Sequence, residues 1–186
     1  MDLQEEKSIV LKAQKDPQVF GLLFDQYYPK ILNYASRRVP SVALAEDIAA
    51  ETFCIALDKL WQFKWQGVSF SAWLYRIATN LINQYYRNQH KKLTLSLDNW
   101  LEKTGFEPVG DIDLEQEIID AERELERYDD FAEIRKKLQR LPDRYQAVIA
   151  LRYFEDKKIK EIAEILGKKE GTIKSLLSRG LDMLRD

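Results

Sequence analysis

Two apolar stripes interrupted by a glycine, between Ile159 and Leu184, constrain this chain more than any other feature. Ile159, Ile162, Ile165 and Leu166 recur at the three-and-four spacing of one buried helical face. Gly167 follows at once, and glycine takes the left-handed cap conformation at no steric cost. Ala163 is small where a crossing helix would come close. A second stripe, Ile173, Leu176, Leu177, Leu181 and Leu184, then resumes the helical period. The stretch predicts helix, tight turn, helix. The second helix presents Lys174, Ser175, Ser178 and Arg179 on its other face, side chains suited to base edges and phosphates. A helix-turn-helix of this kind lays its second helix in the major groove. The same pattern also fits a helical hairpin in an all-helical core whose lysines only solvate the outer face.

The rest of the chain agrees with helix throughout. Only 7 Gly and 5 Pro occur in 186 residues, 45% of which are hydrophobic. Cys54 is the sole cysteine, so no internal disulfide forms, and one histidine, His90, does not build a metal site with it. No phosphate-cradling glycine loop and no Ser-His-Asp or Cys-His set is present. The residues therefore predict no catalytic group, no metal, no cofactor and no small-molecule substrate. The start, Met1 to Lys7, is charged and unlike a signal peptide, and no apolar run reaches the ~20 residues of a spanning helix. A cytoplasmic protein is expected.

Net charge is −2, but its distribution is segregated. Residues 1–92 carry a net of +3, residues 93–133 a net of −11 and residues 134–186 a net of +6. Two basic modules joined by an acidic connector are compatible with nucleic acid, which the overall charge alone would not suggest.

The expected architecture is all-α: a first small helical domain over residues 8–92, an acidic linker over 93–130 and a second small domain over 131–186. In the first, Asp16-Pro17 starts a helix carrying Phe20, Leu23, Phe24, Tyr27, Ile31 and Ala35, which Pro29 should bend or interrupt. Ser41 caps the next helix, with Leu44, Ile48, Phe53, Ile55 and Leu60 inward and Glu46, Asp47 and Glu51 outward. A loop rich in aromatics, Trp61 to Ser71, leads to a helix from about Phe70 to Gln89. Leu74, Ile77, Ala78, Leu81 and Tyr85 form its apolar side; Trp73, Arg76, Asn80, Gln84 and Arg87 lie on another. An aromatic among arginines and amides suits unpaired nucleic acid, since rings stack on bases and arginines meet phosphates. It equally fits a core tryptophan flanked by solvated arginines. Thr94 to Asp98 and Thr104 to Gly110 read as irregular, and Asp113 to Asp130 as an acidic helix. Phe131, Ile134, Leu138 and Leu141 make a short helix, and Pro142 opens another with Tyr145, Val148, Ile149 and Arg152.

In four stretches the chain resembles the extracytoplasmic-function (ECF) group of bacterial RNA polymerase sigma factors. Ala45-Glu46-Asp47-Ile48-Ala49-Ala50-Glu51-Thr52-Phe53 is similar to the helix that docks on core polymerase. Phe70-Ser71-Ala72-Trp73-Leu74-Tyr75-Arg76-Ile77-Ala78-Thr79-Asn80 resembles the segment that meets the minus-ten element. Leu141-Pro142-Asp143-Arg144-Tyr145 is similar to the start of the second domain, and Glu161-Ile162-Ala163 through Gly171-Thr172-Ile173-Lys174-Ser175 resembles the minus-thirty-five reader. The resemblance implies a non-catalytic factor that takes core RNA polymerase to promoter DNA. It assigns Thr172, Lys174, Ser175, Ser178 and Arg179 to the minus-thirty-five duplex. Phe63, Trp73, Arg76, Asn80, Gln84 and Arg87 go to the melted minus-ten strand, and Asp47, Ala50 and Glu51 to the polymerase. It also implies an anti-sigma partner, and a connector that threads the polymerase. The connector's net charge of −11 between basic modules predicts that it shields their basic faces in the free protein, and a solvated spacer fits the same charges. Ala50 stands where the family often has glutamine, and Leu176 where it often has arginine. Two rival readings remain: a self-sufficient helix-turn-helix repressor, which would need a dimer interface, and a sigma-like adaptor that binds protein without acting on DNA.

Overall fold

The computed structural model describes residues 3–65, 69–99 and 135–185. The acidic helix expected over 113–130, the Thr104 to Gly110 stretch, and Phe131 and Ile134 lie outside the described residues, as does the shielding role expected of the connector.

The first four helices form one layered bundle. Helix α1, Leu3–Ala13, buries Glu6, Val10 and Ala13, so the ordered module begins five residues before Ser8. Asp16 accepts from the Gln18 amide at 3.0 Å and opens a single 3₁₀ turn, Pro17–Val19, that runs into α2, Phe20–Ser36. Contrary to expectation, α2 continues through Pro29. Pro29 is exposed, so water reaches the carbonyl that loses its amide partner there. Ser41 caps α3, Val42–Asp58, by accepting from the Leu44 amide at 3.2 Å. After a 3₁₀ turn at Leu60–Gln62, α4 runs from Phe70 to Asn99, through the Thr94 to Asp98 stretch expected to be irregular. No proline or glycine interrupts residues 70–99, so nothing in the sequence breaks the helix.

The core of this bundle holds Leu23, Ile31, Tyr34, Leu74, Tyr75 and Ile82, each under 3% exposed. Of the apolar side expected for α4, Leu74, Ile77 and Ala78 are buried, whereas Leu81 and Tyr85 are half-buried. Several buried polar groups there form a chain, although Arg38 Nε finds no hydrogen-bond partner among the described residues. Arg38, fully buried, donates to the Tyr34 hydroxyl at 2.7 Å and rides over its ring. Thr79 donates to the Tyr75 carbonyl at 2.7 Å, which leaves the Tyr34 hydroxyl to donate to Thr79 at 2.8 Å. Such pairing removes the cost of an unsatisfied buried polar group, ~1–3 kcal/mol each.

The C-terminal helices are shorter. Helix α5 covers residues 135–140, and α6, Asp143–Ile149, ends in a π-helical turn at Ala150–Phe154. Helix α7 is Ile159–Leu166 and α8 is Glu170–Arg185. Gly167 between them is left-handed, φ 62 and ψ 38, as the sequence requires. Leu138, Leu151, Ile162 and Ile173 are fully buried, Leu177 is buried, and Leu176, Leu181 and Leu184 are half-buried. Gly180 lets α8 lie against α6. A Cβ there would stand 2.9 Å from Ile149 Cδ1 and 3.3 Å from Tyr145 Cβ. Helix α7 packs on α8 and also on α4, so it belongs to both halves of the described molecule.

Candidate nucleic-acid interface

Helix α8 carries the first candidate surface. Ile173 and Leu177 anchor it inward, which rotates Thr172, Lys174, Ser175, Ser178 and Arg179 outward, all five exposed. The outer face therefore offers two cations and three hydroxyls at successive turns. Lys168 and Lys169, exposed in the turn, add positive charge before the helix begins. The turn geometry is held by backbone bonds: the Lys168 amide donates to the Ala163 carbonyl at 2.9 Å, and the Thr172 and Ile173 amides to Lys169.

The second candidate surface lies at the start of α4. Phe63 and Trp73 rings are 5.1 Å apart at 40°, and Phe70 lies 5.6 Å from each. Trp65 adds an edge contact to Phe63 at 6.1 Å. Gln14, in the turn after α1, holds this segment by donating to the Leu60 and Phe63 carbonyls at 2.9 and 2.8 Å. Phe70 is buried, Phe63 and Trp73 half-buried, so the rings are neither wholly core nor wholly free. Phe63, Trp73 and Arg76 line a hollow of about 280 Å³ with Gln62, Lys64 and Ala72. Its composition, stacking rings beside a guanidinium and an amide, is that of a site for a flat, polar-edged ring. Asn80 is exposed one helical stretch further along α4 and does not line the hollow.

Gln84 falls elsewhere. It lies in a groove of about 560 Å³ between α3 and α4, with Asp47, Ala50 and Glu51 exposed along one wall and Tyr85 and Asn88 on the other. Exposed Cys54 also borders it. Arg87 is exposed and lines neither space. The structure thus separates the face read from spacing alone into a hollow near Trp73 and a groove near Gln84. The reason is that Trp73 and Gln84 stand about three turns apart, so one meets Phe63 and Glu164 and the other Asp47, Glu51 and Cys54.

Several residues at these sites carry no local signal. Glu164 of α7 completes the wall of the aromatic hollow, and a Cβ on Gly167 would lie 3.4 Å from Arg76 Nη2. Glu155, just after the π turn, accepts from Arg37 Nη1 at 3.1 Å and from the Tyr75 hydroxyl at 2.5 Å. Burial raises the Glu155 carboxyl above its usual range, against the lowering pull of Tyr75, Arg37, Lys157 and Lys30. Burial likewise lowers Lys157, whose ammonium donates to Ser71 Oγ at 3.1 Å. Tyr75 titrates far above an ordinary phenol, through burial and then Glu155. These partners are 80 to 118 residues apart in sequence, so no spacing rule could have joined them.

Comparison with known proteins gives a consistent picture. The family model for Sigma-70 region 2 matches residues 23–92, and that for Sigma-70 region 4 matches 131–184. The ECF RNA polymerase sigma factor SigW of Bacillus subtilis is 34% identical, over 100% of this chain and 97% of its own length. The ECF RNA polymerase sigma factor BldN of Streptomyces coelicolor is 31% identical over 95% of this chain, which spans only 63% of BldN. Among solved structures, CnrH in complex with the cytosolic domain of CnrY superposes with TM-score 0.68 at 20% identity, covering 97% of this chain and 94% of that one. RpoE in complex with the anti-sigma factor NepR from Bartonella quintana gives 0.65 at 22% identity, covering 89% and 94%. At those identities the two structures establish the fold.

Proposed function

This chain belongs to the ECF RNA polymerase sigma factors, and from that premise we propose that it directs core RNA polymerase to promoters by reading duplex with one module and melted strand with the other. The observation that carries the division of labour is the contrast between an exposed polar α8 face and an aromatic hollow on α4. The first suits the edges of paired bases; the second suits a base that has left the stack.

In this reading Lys174, Ser175, Ser178, Arg179 and Thr172 meet the minus-thirty-five duplex. Phe63, Trp73 and Arg76 receive an unstacked minus-ten base, while Asn80, Gln84 and Arg87 follow the strand along α4. Asp47, Ala50 and Glu51 meet a basic surface of the polymerase. The exposure of the α8 set, of Asp47, Ala50 and Glu51, and of Arg76, Asn80, Gln84 and Arg87 supports these roles, and half-buried Phe63 and Trp73 keep part of their rings accessible. The factor's partners are core RNA polymerase, promoter DNA and an anti-sigma factor, and its work is in the cytoplasm; no described helix is long and apolar enough to cross a membrane. The domains are residues 8–92, extended by α1, and 131–186, with an acidic linker between.

Transcription from a randomised promoter library, with core polymerase added, tests this. Enrichment of sequences bearing two separated motifs is the expected result. Tight, specific duplex binding by the protein without polymerase would instead favour a repressor. No enrichment with polymerase present would leave a protein-binding adaptor.

A further inference from the structure

Helix α1 supplies a side chain to each end of the segment that carries the aromatic hollow. Glu6 lies about two turns before Gln14, about 12 Å along a helix that rises 1.5 Å per residue. Gln14 directly follows α1, and its amide still donates to the Val10 carbonyl at 3.0 Å, so both side chains hang on one rod. Val10 and Ala13 are buried and seat that rod on the bundle. The Sigma-70 region 2 match begins at residue 23, so α1 lies before it. Neither Glu6 nor Gln14 lines the hollow itself.

Gln14 acts on the Phe63 side. Its side-chain amide has two hydrogens, and they go to the Leu60 and Phe63 carbonyls. Phe63 is extended, φ −67 and ψ 119, just after the 3₁₀ turn Leu60–Gln62. The turn's own bonds run from the Gln62 and Phe63 amides back to Lys59 and Leu60, so they do not reach the Phe63 carbonyl. Gln14 does, and thereby fixes the backbone that aims the Phe63 ring at Trp73. Glu6 acts on the Trp73 side. It is 3% exposed, and its Oε1 accepts from the Tyr27 hydroxyl at 2.6 Å and from the Ser71 amide at 3.2 Å. The first amides of a helix have no partner within it. At the start of α4, Ser69 Oγ takes the Ala72 amide at 3.2 Å and Glu6 takes that of Ser71. Trp73 supplies the next amide, bonded to the Ser69 carbonyl at 3.3 Å. Burial and then Glu6 raise the Tyr27 hydroxyl above an ordinary phenol, which keeps it a donor. The Tyr27 ring lies 6.1 Å from that of Phe70, which touches both Phe63 and Trp73.

We infer that α1 sets the geometry of Phe63 and Trp73 in which an unstacked base fits, with Gln14 and Glu6 as its two positioning residues. The inference rests on the hollow's reading as the strand site. Phe63 follows a turn and Trp73 sits in the first turn of a helix, so neither ring inherits its place from the other. A common support fixes both before the base arrives. Hydrogen bonds suit that task because they fix direction as well as distance. The tolerance is small: a gap wrong by roughly 0.5–1 Å forfeits about a quarter to a half of the contact energy.

The test uses holoenzyme assembled from core polymerase and the full chain. The probe is a fluorescein-labelled single strand bearing the minus-ten sequence recovered from the promoter library, read by anisotropy. An abasic site placed at each position in turn finds the base that the hollow holds, by the largest loss of affinity. The parent should prefer the intact strand over that abasic strand by at least ~5-fold, the lower end of stacking on one base. Gln14→Met, which keeps the length and loses both donors, should lose most of that preference, as should Glu6→Leu. Glu6→Gln keeps an acceptor for the Ser71 amide and should keep the preference; a loss there as well overturns the capping role of Glu6. The abasic strand should bind every variant as it binds the parent. Equal loss on intact and abasic strands makes α1 a structural helix only and overturns the inference. So does a preference that survives Gln14→Met or Glu6→Leu while Trp73→Ala abolishes it; the strand site then stands without its support. A preference that survives Trp73→Ala faults the strand site, and the inference with it. If circular dichroism finds Glu6→Leu or Trp73→Ala unfolded, half-buried Gln14 and exposed Arg76 decide in their place, through Gln14→Met and Arg76→Ala.

Discussion

The outer face of α8 and the hollow on α4 are both polar surfaces proposed to meet DNA, yet they stand in opposite states. Lys174, Ser175, Ser178 and Arg179 face solvent with nothing packed over them among the described residues. Phe63 and Trp73 are half-buried, and Glu164 of the other module lines the hollow they share with exposed Arg76. The difference teaches that exposure of a binding surface depends on what its backing helix does. Helix α8 is backed by α6 and α7 and turns its free face away from the rest of the chain. Helix α4 is backed by α2 and α3, and its remaining side is the one α7 takes.

The sharpest way to break this comparison is to remove the helix that both surfaces share. Ile162 is fully buried in α7, and Ile162→Ala should cost about 2–5 kcal/mol. Chemical denaturation should register that loss, and with it the seating of α8. If the loss is confined to the C-terminal helices, a separate unfolding step appears while α1–α4 keep the parent midpoint; a single shifted transition would mean the two halves fold as one unit.

Next in size are the contacts themselves. Trp73→Ala removes a stacking partner worth ~1–3 kcal/mol per base, and should slow open-complex formation on duplex more than on pre-melted promoters. Circular dichroism of that variant comes first, since Trp73 also packs on Phe63 and Phe70. Equal defects on both templates would mean that the tryptophan only packs in the fold or only captures the opened strand, and circular dichroism separates these two outcomes. Lys174→Ala and Arg179→Ala test the bare surface: a base contact is worth ~1–3 kcal/mol, whereas a phosphate contact lowers the salt slope by about one. Promoter binding unaltered in both affinity and salt slope would remove these residues from the interface.

A smaller effect separates folding from recognition. Ser41→Ala should cost ~1 kcal/mol through the lost α3 cap, lowering thermal stability without favouring one promoter template over the other. The smallest effect is on pH. Burial holds the Glu155 carboxyl above its ordinary range. The folded protein therefore binds that proton more tightly than the unfolded chain, so the group favours folding most at acid pH, and that contribution is lost as pH rises through the folded-state value. The groups facing it are Arg37, Tyr75, Lys157 and Lys30. Thermal midpoints of the Glu155→Gln variant should show a flatter pH dependence over the carboxylate range than the parent's; an identical dependence would remove Glu155 from it.

Periodicity and cap chemistry made much of the local structure legible. Gly167 had to be left-handed, Ser41 had to cap, and the Ile173–Leu177 stripe had to turn Lys174 and Arg179 outward, because each outcome depends on residues within one or two turns. Pro29 misled because the cost of a proline depends on whether its side of the helix meets water. The reach of α4 to Asn99 was missed because the mixed polar and apolar residues near Thr94 follow no helical period in sequence. The split between the Trp73 hollow and the Gln84 groove, the place of Glu164 on the wall of that hollow, and the bonds of Glu155 to Arg37 and Tyr75 belong to tertiary structure alone. A side-chain period records only that one face of a helix is buried. Which face buries it, across 80 or 118 intervening residues, is decided when the helices pack and the polar groups left at the seam find one another.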